Sequence, residues 1–356
     1  MFPSAPIYTT VHDAAALPAS LREWDVRTSF LQRIPFARRR HQPFLPLMPM
    51  AWEQFDFSEY DLVLTTSSAC AKGVITRPGT LNICYCYTPT RYLWDLYHEY
   101  TRDKRGQAII AATAHWMRMW DRMAADRVDH FIAISHEVAG RIRRHYRREA
   151  EVVYPPVEVE RIRPNGMDPE DFYLVVSRLV PYKRVDLAVE AANRLRRRLL
   201  VVGGGPERKR LEAQAGPTVQ FLGRLDDEQI GDLYARCRAL LFPGFEDFGI
   251  APVEAQAAGR PVVAYGRGGA TETVIDGSTG VLFGEQTVEC LMRAILRLEA
   301  AAAQPAACRL QAEGFSSSVF RDQLKHAIER EVQRQKTSTE TPSPGSRRVL
   351  AAAALI

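Results

Sequence analysis

Two carboxylates, Glu246 and Glu254, stand eight positions apart in the run Glu246-Asp247-Phe248-Gly249-Ile250-Ala251-Pro252-Val253-Glu254. An apolar stretch, Ala239-Leu240-Leu241-Phe242, precedes them and stops at Pro243-Gly244, as a short buried strand does. Ile250 to Ala258 reads as a short helix, with Pro252 near its start, where a missing N–H costs little, and Gly259 at its end. The order is therefore strand, loop, helix N-terminus. Free backbone N–H groups beside Gly249 suit a phosphate. Glu246 lies on the loop and Glu254 about one turn inside the helix. One carboxylate can meet a sugar and the other a ribose, with a diphosphate between them. That is the outline of a sugar nucleotide.

Cations stand where such a ligand needs them. Arg178 ends an apolar strand and Lys183 opens the next helix, in Ser177-Arg178-Leu179-Val180-Pro181-Tyr182-Lys183. Together they can neutralise a diphosphate leaving group without a metal; a plain surface pair is the alternative. Gly203-Gly204-Gly205-Pro206-Glu207 also joins a strand to a helix. It lacks the third spaced glycine of the dinucleotide fingerprint and the Lys-Ser/Thr of a P-loop, so a tight turn is the simpler reading and an NAD-dependent oxidoreductase is disfavoured. Gly266-Arg267-Gly268-Gly269, with Glu272 beyond it, suits a turn and a phosphate-side loop equally. No His or Cys cluster completes a zinc pattern, and the six cysteines read as reduced. Neither a metal nor a cofactor is expected.

The elements that must position these residues alternate along the chain. Strands are predicted at 7–11, 61–65, 81–87, 129–135 and 151–154, and again at 172–177, 199–202, 218–222, 239–242 and 261–265. Helices are predicted at 107–125, from 136, and at 184–195, 207–213, 226–235, 288–300 and 315–333. Trp116 and Trp120 share one face of the first helix and read as core or packing residues. The alternation predicts an α/β protein of two Rossmann-like domains facing each other across a cleft, with ligands at the carboxyl ends of the strands. The expected division is an N-terminal domain at 1–156, a Pro/Asn/Gly-broken linker at 157–170, a second domain at 171–312, a C-terminal helix at 313–335 and a disordered tail at 336–356; the resemblance described below makes the first the acceptor-side domain and the second the donor domain.

A length of 356 residues fits two domains, and 46% hydrophobic with 25% charged residues is ordinary for a soluble protein. No apolar run reaches a membrane span, and no signal-peptide layout opens the chain, so the expected location is cytoplasmic. The net charge of +5 is uneven. Residues 1–150 hold 20 Lys/Arg and 15 Asp/Glu, which leaves 27 of each in residues 151–356. The excess clusters at Arg38-Arg39-Arg40 and at Arg141, Arg143, Arg144, Arg147 and Arg148. Without regular aromatic interleaving, nucleic acid is not the expected partner. Peripheral contact with the anionic inner face of a membrane is, because Leu31, Ile34, Phe36, Phe44, Leu45, Leu47 and Met48 flank the first cluster; a solvated helix face is the bland alternative.

Glu246 to Glu254 carries the E-x7-E pattern of retaining glycosyltransferases of the GT-B fold, family 4. The run from Tyr173 to Asp186, Pro206-Glu207-Arg208, Phe221-Leu222-Gly223-Arg224 and Gly268-Gly269 before Glu272-Thr273 look like that family. The resemblance covers roughly residues 1–335 and extends to bacterial mannosyltransferases of surface-polysaccharide assembly. It implies transfer of a hexose, mannose above all, from a nucleotide sugar such as GDP-mannose or a UDP-sugar, to a glycan or lipid-linked acceptor with retention. It also implies roles. Glu246 holds donor-sugar hydroxyls, Arg178 and Lys183 the diphosphate, Gly249 and Ile250 the phosphates through their backbone, and Glu254 the ribose. Phe248 and Gly223 complete the donor set. Tyr87 stands in the catalytic position where relatives have histidine, within Tyr87-Thr88-Pro89. Relatives also carry histidine at Ser68 and asparagine at Ile134. The chain starts past the family's usual first strand and Gly-rich loop, so the first domain is expected to lack its N-terminal strand. The alternative reading is a nucleotide-sugar-binding relative with reduced or no transferase activity; another GT-B enzyme, such as an epimerase, is a third.

Overall fold

Short runs rich in Val, Leu and Ile form strands covered on both faces, and amphipathic stretches between them form the helices. The structure is a computed structural model, and it describes residues 2, 4–13, 15, 24–38, 42–102, 106–301, 304–338 and 349–353. It divides into two units, Met1–Val153 with Gln323–Ile356, and Tyr154–Asp322.

The first unit contains β1 (Ile7–Thr9), β2 (Val26–Thr28), α1 (Met48–Glu53), β3 (Leu62–Ser67), β4 (Leu81–Cys86), α2 (Tyr97–Thr101), α3 (Gln107–Ala125), β5 (His130–Ala133), α4 (His136–Tyr146) and β6 (Ala150–Val152). The second contains β7 (Tyr173–Val176), α5 (Val185–Leu195), β8 (Leu199–Val202), α6 (Arg208–Gln214), β9 (Val219–Gly223), α7 (Asp227–Arg236), β10 (Ala239–Phe242), α8 (Ile250–Ala257), β11 (Val262–Tyr265), α9 (Ala270–Thr273), β12 (Gly280–Phe283), α10 (Val288–Glu299) and α11 (Pro305–Glu313). The last helix, α12 (Ser317–Ser338), passes from the second unit into the first, which β13 (Val349–Ala353) completes.

The second unit is a six-stranded parallel sheet of order β12-β11-β10-β7-β8-β9. The chain winds one way from β7 to β9, then returns to lay β10 on the other side of β7. The loops after β7 and β10 thus leave the same sheet edge as neighbours, at the switch point where such folds bind ligands. Leu199, Val201, Ala239, Leu241 and Val263 are buried to within 1% and join Leu187, Val189 and Leu291 from the covering helices in one core. A capping box starts α7: the Asp226 carboxylate accepts from Gln229 N, and the Gln229 side chain accepts from Asp226 N.

The first unit is a seven-stranded parallel sheet of order β2-β1-β13-β3-β4-β5-β6. Here the tail departs from expectation. Residues 336–338 continue α12, and β13 pairs with β3 from Val349↔Leu62 to Ala353↔Thr66 and with β1 at Ile7↔Ala351. Val349-Leu-Ala-Ala-Ala353 is uncharged and apolar, as a strand between two others requires. β13 thus lies between β1 and β3. Residues 339–348 and 354–356 of the expected tail lie outside the described residues, as do Arg39, Arg40 and Pro3.

The stretch expected as a linker, 157–170, is also different. Val157, Val159 and Ile162 are buried, Val157 bridges to Ser316, and the Arg309 guanidinium donates to the carbonyls of Val159, Ile162 and Ala257 at 2.8–3.0 Å. Its apolar residues tie it into the second unit, whose boundary falls earlier, at Val153/Tyr154.

Candidate active site

The loop from β10 to α8 carries the first carboxylate. Gly249 caps α8 at φ 98°, a left-handed conformation that suits glycine, and no side chain caps the helix. A Cβ on Gly249 would also press to 3.1 Å from the Phe242 ring. The first N–H groups of α8, which have no partner within the helix, lie beside half-exposed Ile250. Phe248, by contrast, turns inward. Its ring packs against Tyr154 at 5.8 Å and Phe315 at 5.5 Å and is almost wholly buried. Its side chain anchors the loop and is turned away from solvent.

Glu246 is held from two sides. Its backbone pairs with Gly268, and its carbonyl accepts from Gly269 N at 2.8 Å. Gly268 is left-handed, at φ 68°, and a Cβ there would lie 2.5 Å from Glu246 O. A Cβ on Gly269 would lie 2.2 Å from Phe248 Cα. The second glycine loop is thus a clasp on the first carboxylate's backbone. On the other side, Glu246 Oε1 meets Lys183 Nζ in an ion pair with both side chains mostly buried. Gly244 permits this approach, since a Cβ there would stand 2.9 Å from Lys183 Cα. Gly269→Ala is expected to cost about 1–3 kcal/mol through overpacking against backbone, and to shift Glu246; a thermal melt together with a transfer assay checks both effects.

Arg178 is exposed on the loop after β7. Gly203 and Gly205 hold that loop: Leu179 N donates to Gly204 O at 3.0 Å, and a Cβ on Gly205 would sit 2.3 Å from Leu179 O. The triple glycine is therefore a close-approach turn that supports Arg178 from behind. Gly223 ends β9 at φ 77° and accepts from Gly203 N at 2.6 Å, beside the same turn.

Glu254 sits four residues past the start of α8 and accepts from the wholly buried Tyr234 hydroxyl at 3.0 Å. Burial raises its pKa above the ordinary carboxyl value, against the opposing hydrogen bond from Tyr234. A carboxyl raised in the fold contributes stability below its unfolded pKa and loses it as pH climbs through its folded pKa. Glu254→Gln is therefore expected to raise the Tm by a few degrees at neutral pH, an advantage that fades toward acid. Melts from acid to neutral pH check it, and a lower Tm at neutral pH would count against the assignment. Tyr234, twenty positions away on α7, escaped sequence reasoning, as did the clasping role of Gly268 and Gly269.

In the first unit Ser68, Tyr87 and Ile134 follow the adjacent strands β3, β4 and β5, so the sheet brings them to one edge. Tyr87 N donates to Ser67 O at 2.8 Å, and its ring meets Tyr85 edge-on at 5.5 Å. The Tyr87 side chain is 41% exposed, and partial burial raises its hydroxyl pKa. Ile134 is buried and offers that edge no polar group. Among the described residues no cluster of His, Cys, Asp and Glu is arranged to hold a metal ion.

Known proteins share this fold. The family described as Glycosyltransferase Family 4 matches residues 7–161, and Glycosyl transferases group 1 matches residues 158–314. A D-inositol 3-phosphate glycosyltransferase of Streptomyces bingchenggensis is 33% identical over 211 residues, covering 50% of this chain and 46% of that protein. A GDP-mannose-dependent alpha-(1-6)-phosphatidylinositol monomannoside mannosyltransferase of Mycolicibacterium smegmatis is 31% identical over 170 residues, covering 40% and 44%. The chain thus spans about half the length of the curated relatives it matches. Among solved structures, a sucrose-phosphate synthase from Thermosynechococcus elongatus superposes with a TM-score of 0.70 at 18% identity, over 92% of this chain and 88% of that one. With both halves matched, the chain belongs to the group 1, family 4 glycosyltransferases of the GT-B fold.

Proposed function

We propose that this chain transfers a hexose, mannose in the first instance, from a nucleotide-sugar donor to a glycan or lipid-linked sugar with retention of configuration. The observation that carries this reading is the Lys183–Glu246 pair beside the uncapped start of α8, with Glu254 further along the same helix. Lys183 and Arg178 take the diphosphate and stabilise it as it leaves. The N–H groups after Gly249 add donors to the same phosphates. Glu246 takes a sugar hydroxyl. Glu254, fixed by Tyr234, takes the ribose. In a retaining reaction of this kind the bond from the anomeric carbon to the diphosphate oxygen breaks, and the acceptor oxygen bonds to that carbon on the same face. The acceptor's proton passes to the departing phosphate oxygen. GDP-mannose is the donor favoured by the named mannosyltransferase relative.

The test is calorimetry with GDP, UDP and their sugars, followed by label transfer from GDP-mannose to extracted membrane lipids. Nucleotide binding lost in both Lys183→Ala and Glu254→Ala supports the donor site, and unchanged binding in both removes it. A second reading, a nucleotide-sugar-binding relative with little turnover, is favoured by apolar Ile134 and by Tyr87 at the first unit's sheet edge. Tight binding with no transfer to any acceptor would select it.

A further inference from the structure

Two arginine clusters stand out in the sequence, and the fold uses them differently. Around the first, expected as a membrane contact, Leu31 and Met48 are core residues and Ile34, Phe44 and Leu45 pack against that core. Of that apolar set, Phe36 and Leu47 are exposed. In the second cluster most of the cations sit on the surface. Arg143 pairs with Glu149 at 2.9 Å, Arg144 faces solvent, and Arg147 caps α4 in a left-handed conformation. Arg148 donates to the carbonyls of Ala125 and Asp129. Arg141 is the exception, at 7% exposed.

An arginine is buried where its donors are met. Arg141 Nε lies 3.3 Å from Glu137, one turn back on α4, and 3.5 Å from Asp95, two residues before α2. The Glu137 pair alone would form as well on an open helix surface and does not account for the burial. The rest of the fork reaches off the helix: Nη1 donates to Thr88 Oγ1, itself buried, at 3.2 Å. Asp95 is fixed in turn by His145 Nε2 at 3.1 Å, and the His145 ring stacks on Trp94 at 4.8 Å. Trp94 Nε1 donates to Asp121, which also takes the Thr90 hydroxyl. The turn after β4 is thus gripped twice, at Thr88 through Arg141 and at Thr90 through Asp121.

Tyr87 is the residue this grip leaves outside. Cys86, Thr88, Pro89 and Thr90 are buried, and Tyr87 between them is exposed. Its backbone N–H is tied to Ser67 O, so the main chain is held on both sides of the one side chain that projects. Any rotation at Thr88 re-aims the neighbouring Tyr87 ring, and the Arg141 bond opposes that rotation.

We infer that Arg141 is a positioning residue for sugar transfer: through Thr88 it fixes the turn that presents Tyr87 to the reacting sugar, while Glu137, Asp95 and His145 fix Arg141. The inference rests on the reading that this chain transfers a hexose, with Tyr87 at that sugar.

Two variants break the brace from its two ends. Arg141→Lys keeps a cation beside Glu137 and Asp95 but loses the fork that reaches Thr88. Thr88→Val removes the acceptor at nearly constant size. Each should lower kcat by about ten- to a hundredfold with GDP affinity unchanged, since the residues assigned to the donor lie in the second unit. Thr88→Ser, which keeps the acceptor oxygen, should restore most of that rate. A merely structural role would lower kcat whatever stands at position 87. In a Tyr87→Phe background, however, Arg141→Lys is expected to cost about twofold or less, because the hydroxyl it positions is gone. Thermal melts identify the variants that fold; should Arg141→Lys not fold, Thr88→Val carries the same measurements. Hydrogen exchange across residues 84–92 follows the brace without any sugar, and the Tyr87 amide should exchange about tenfold faster in both variants. Unchanged exchange in the folded variants would overturn the inference, as would an equal loss of kcat with and without the Tyr87 hydroxyl. A wild type that moves no sugar would remove the transfer reading instead, and the exchange rates alone would then decide whether Arg141 holds the turn.

Discussion

Glu246→Ala is expected to leave GDP affinity unchanged or tighter while cutting transfer from GDP-mannose by about a hundred- to a thousandfold. The asymmetry follows from the Lys183–Glu246 contact. In the ligand-free protein Lys183 is already neutralised by Glu246, so a diphosphate must compete with that carboxylate for the cation. Removing Glu246 releases Lys183 to the nucleotide and removes the group assigned to the sugar. GDP carries no sugar and feels only the first change. Lys183→Ala should do the reverse: it loses a charge-assisted contact worth about 1.5–3 kcal/mol, or roughly ten- to a hundredfold in GDP affinity. It also strands the mostly buried Glu246 carboxylate without its cation. Calorimetry with GDP beside label transfer separates the two variants. Equal loss of GDP binding in both would mean that the pair is a structural strut and that the donor lies elsewhere.

The stretch from β10 to α8 was legible because each of its parts carries a local signal. Four apolar residues end at Pro-Gly, and a helix with proline near its start ends at Gly259. The groups that hold this stretch were not legible. Tyr234 reaches Glu254 across twenty positions, and Gly269 reaches Glu246 from the turn after the neighbouring strand. Periodicity reports which face of an element is apolar, not which residue of another element it meets. Phe248 illustrates the limit: its place in the loop is plain from sequence, yet only the packing of Tyr154 and Phe315 turns its ring inward.

Helix α3 shows the same limit on a finer scale. Its ends, Gln107 and Ala125, coincide with the apolar pattern. Trp116 and Trp120 share a face by spacing, but four residues advance the helix by about 40° beyond a full turn. That offset places Trp120 in the core and Trp116 at its rim. Strand β13 was missed for another reason. A short Ala-rich run near a polar tail has little strand propensity of its own, and its place depends on the gap between β1 and β3. The linker was misread because Pro, Asn and Gly after residue 163 outweighed the apolar Val157, Val159 and Ile162 before it.

Lys72→Met is expected to destabilise the first unit by about 3–5 kcal/mol, because it leaves a buried carboxylate without its cation. Lys72 and Asp121 are each 1% exposed and meet at 2.5 Å. The Lys72 ammonium also donates to Ala69 O at 2.7 Å and lies 5.1 Å from the Tyr146 ring centroid. Asp121 accepts further from Thr90 Oγ1 at 2.7 Å, Trp94 Nε1 at 2.8 Å and Tyr146 OH at 2.9 Å. One carboxylate thus ties the turn after β3, the loop after β4, α3 and α4 together. Burial alone would lower the Lys72 pKa, but Asp121 outweighs it and the net shift is upward. A raised lysine contributes stability that is whole below its unfolded pKa and lost as pH rises through its folded one. The wild-type advantage over Lys72→Met should therefore hold through neutral pH and shrink only in strong alkali. Lys72→Met combined with Asp121→Asn should recover part of the loss, since the amide carries no charge and its oxygen still accepts on one side, while its NH2 replaces an oxygen that accepts on the other. Urea titrations of the single and double variants measure this coupling, and simple additivity would show that the network matters less than its burial implies. Thr90 lies three residues past Tyr87, so the same carboxylate that braces the unit also fixes the loop carrying Tyr87 at the sheet edge. A double variant that regains stability yet not transfer would place that loop in the reaction.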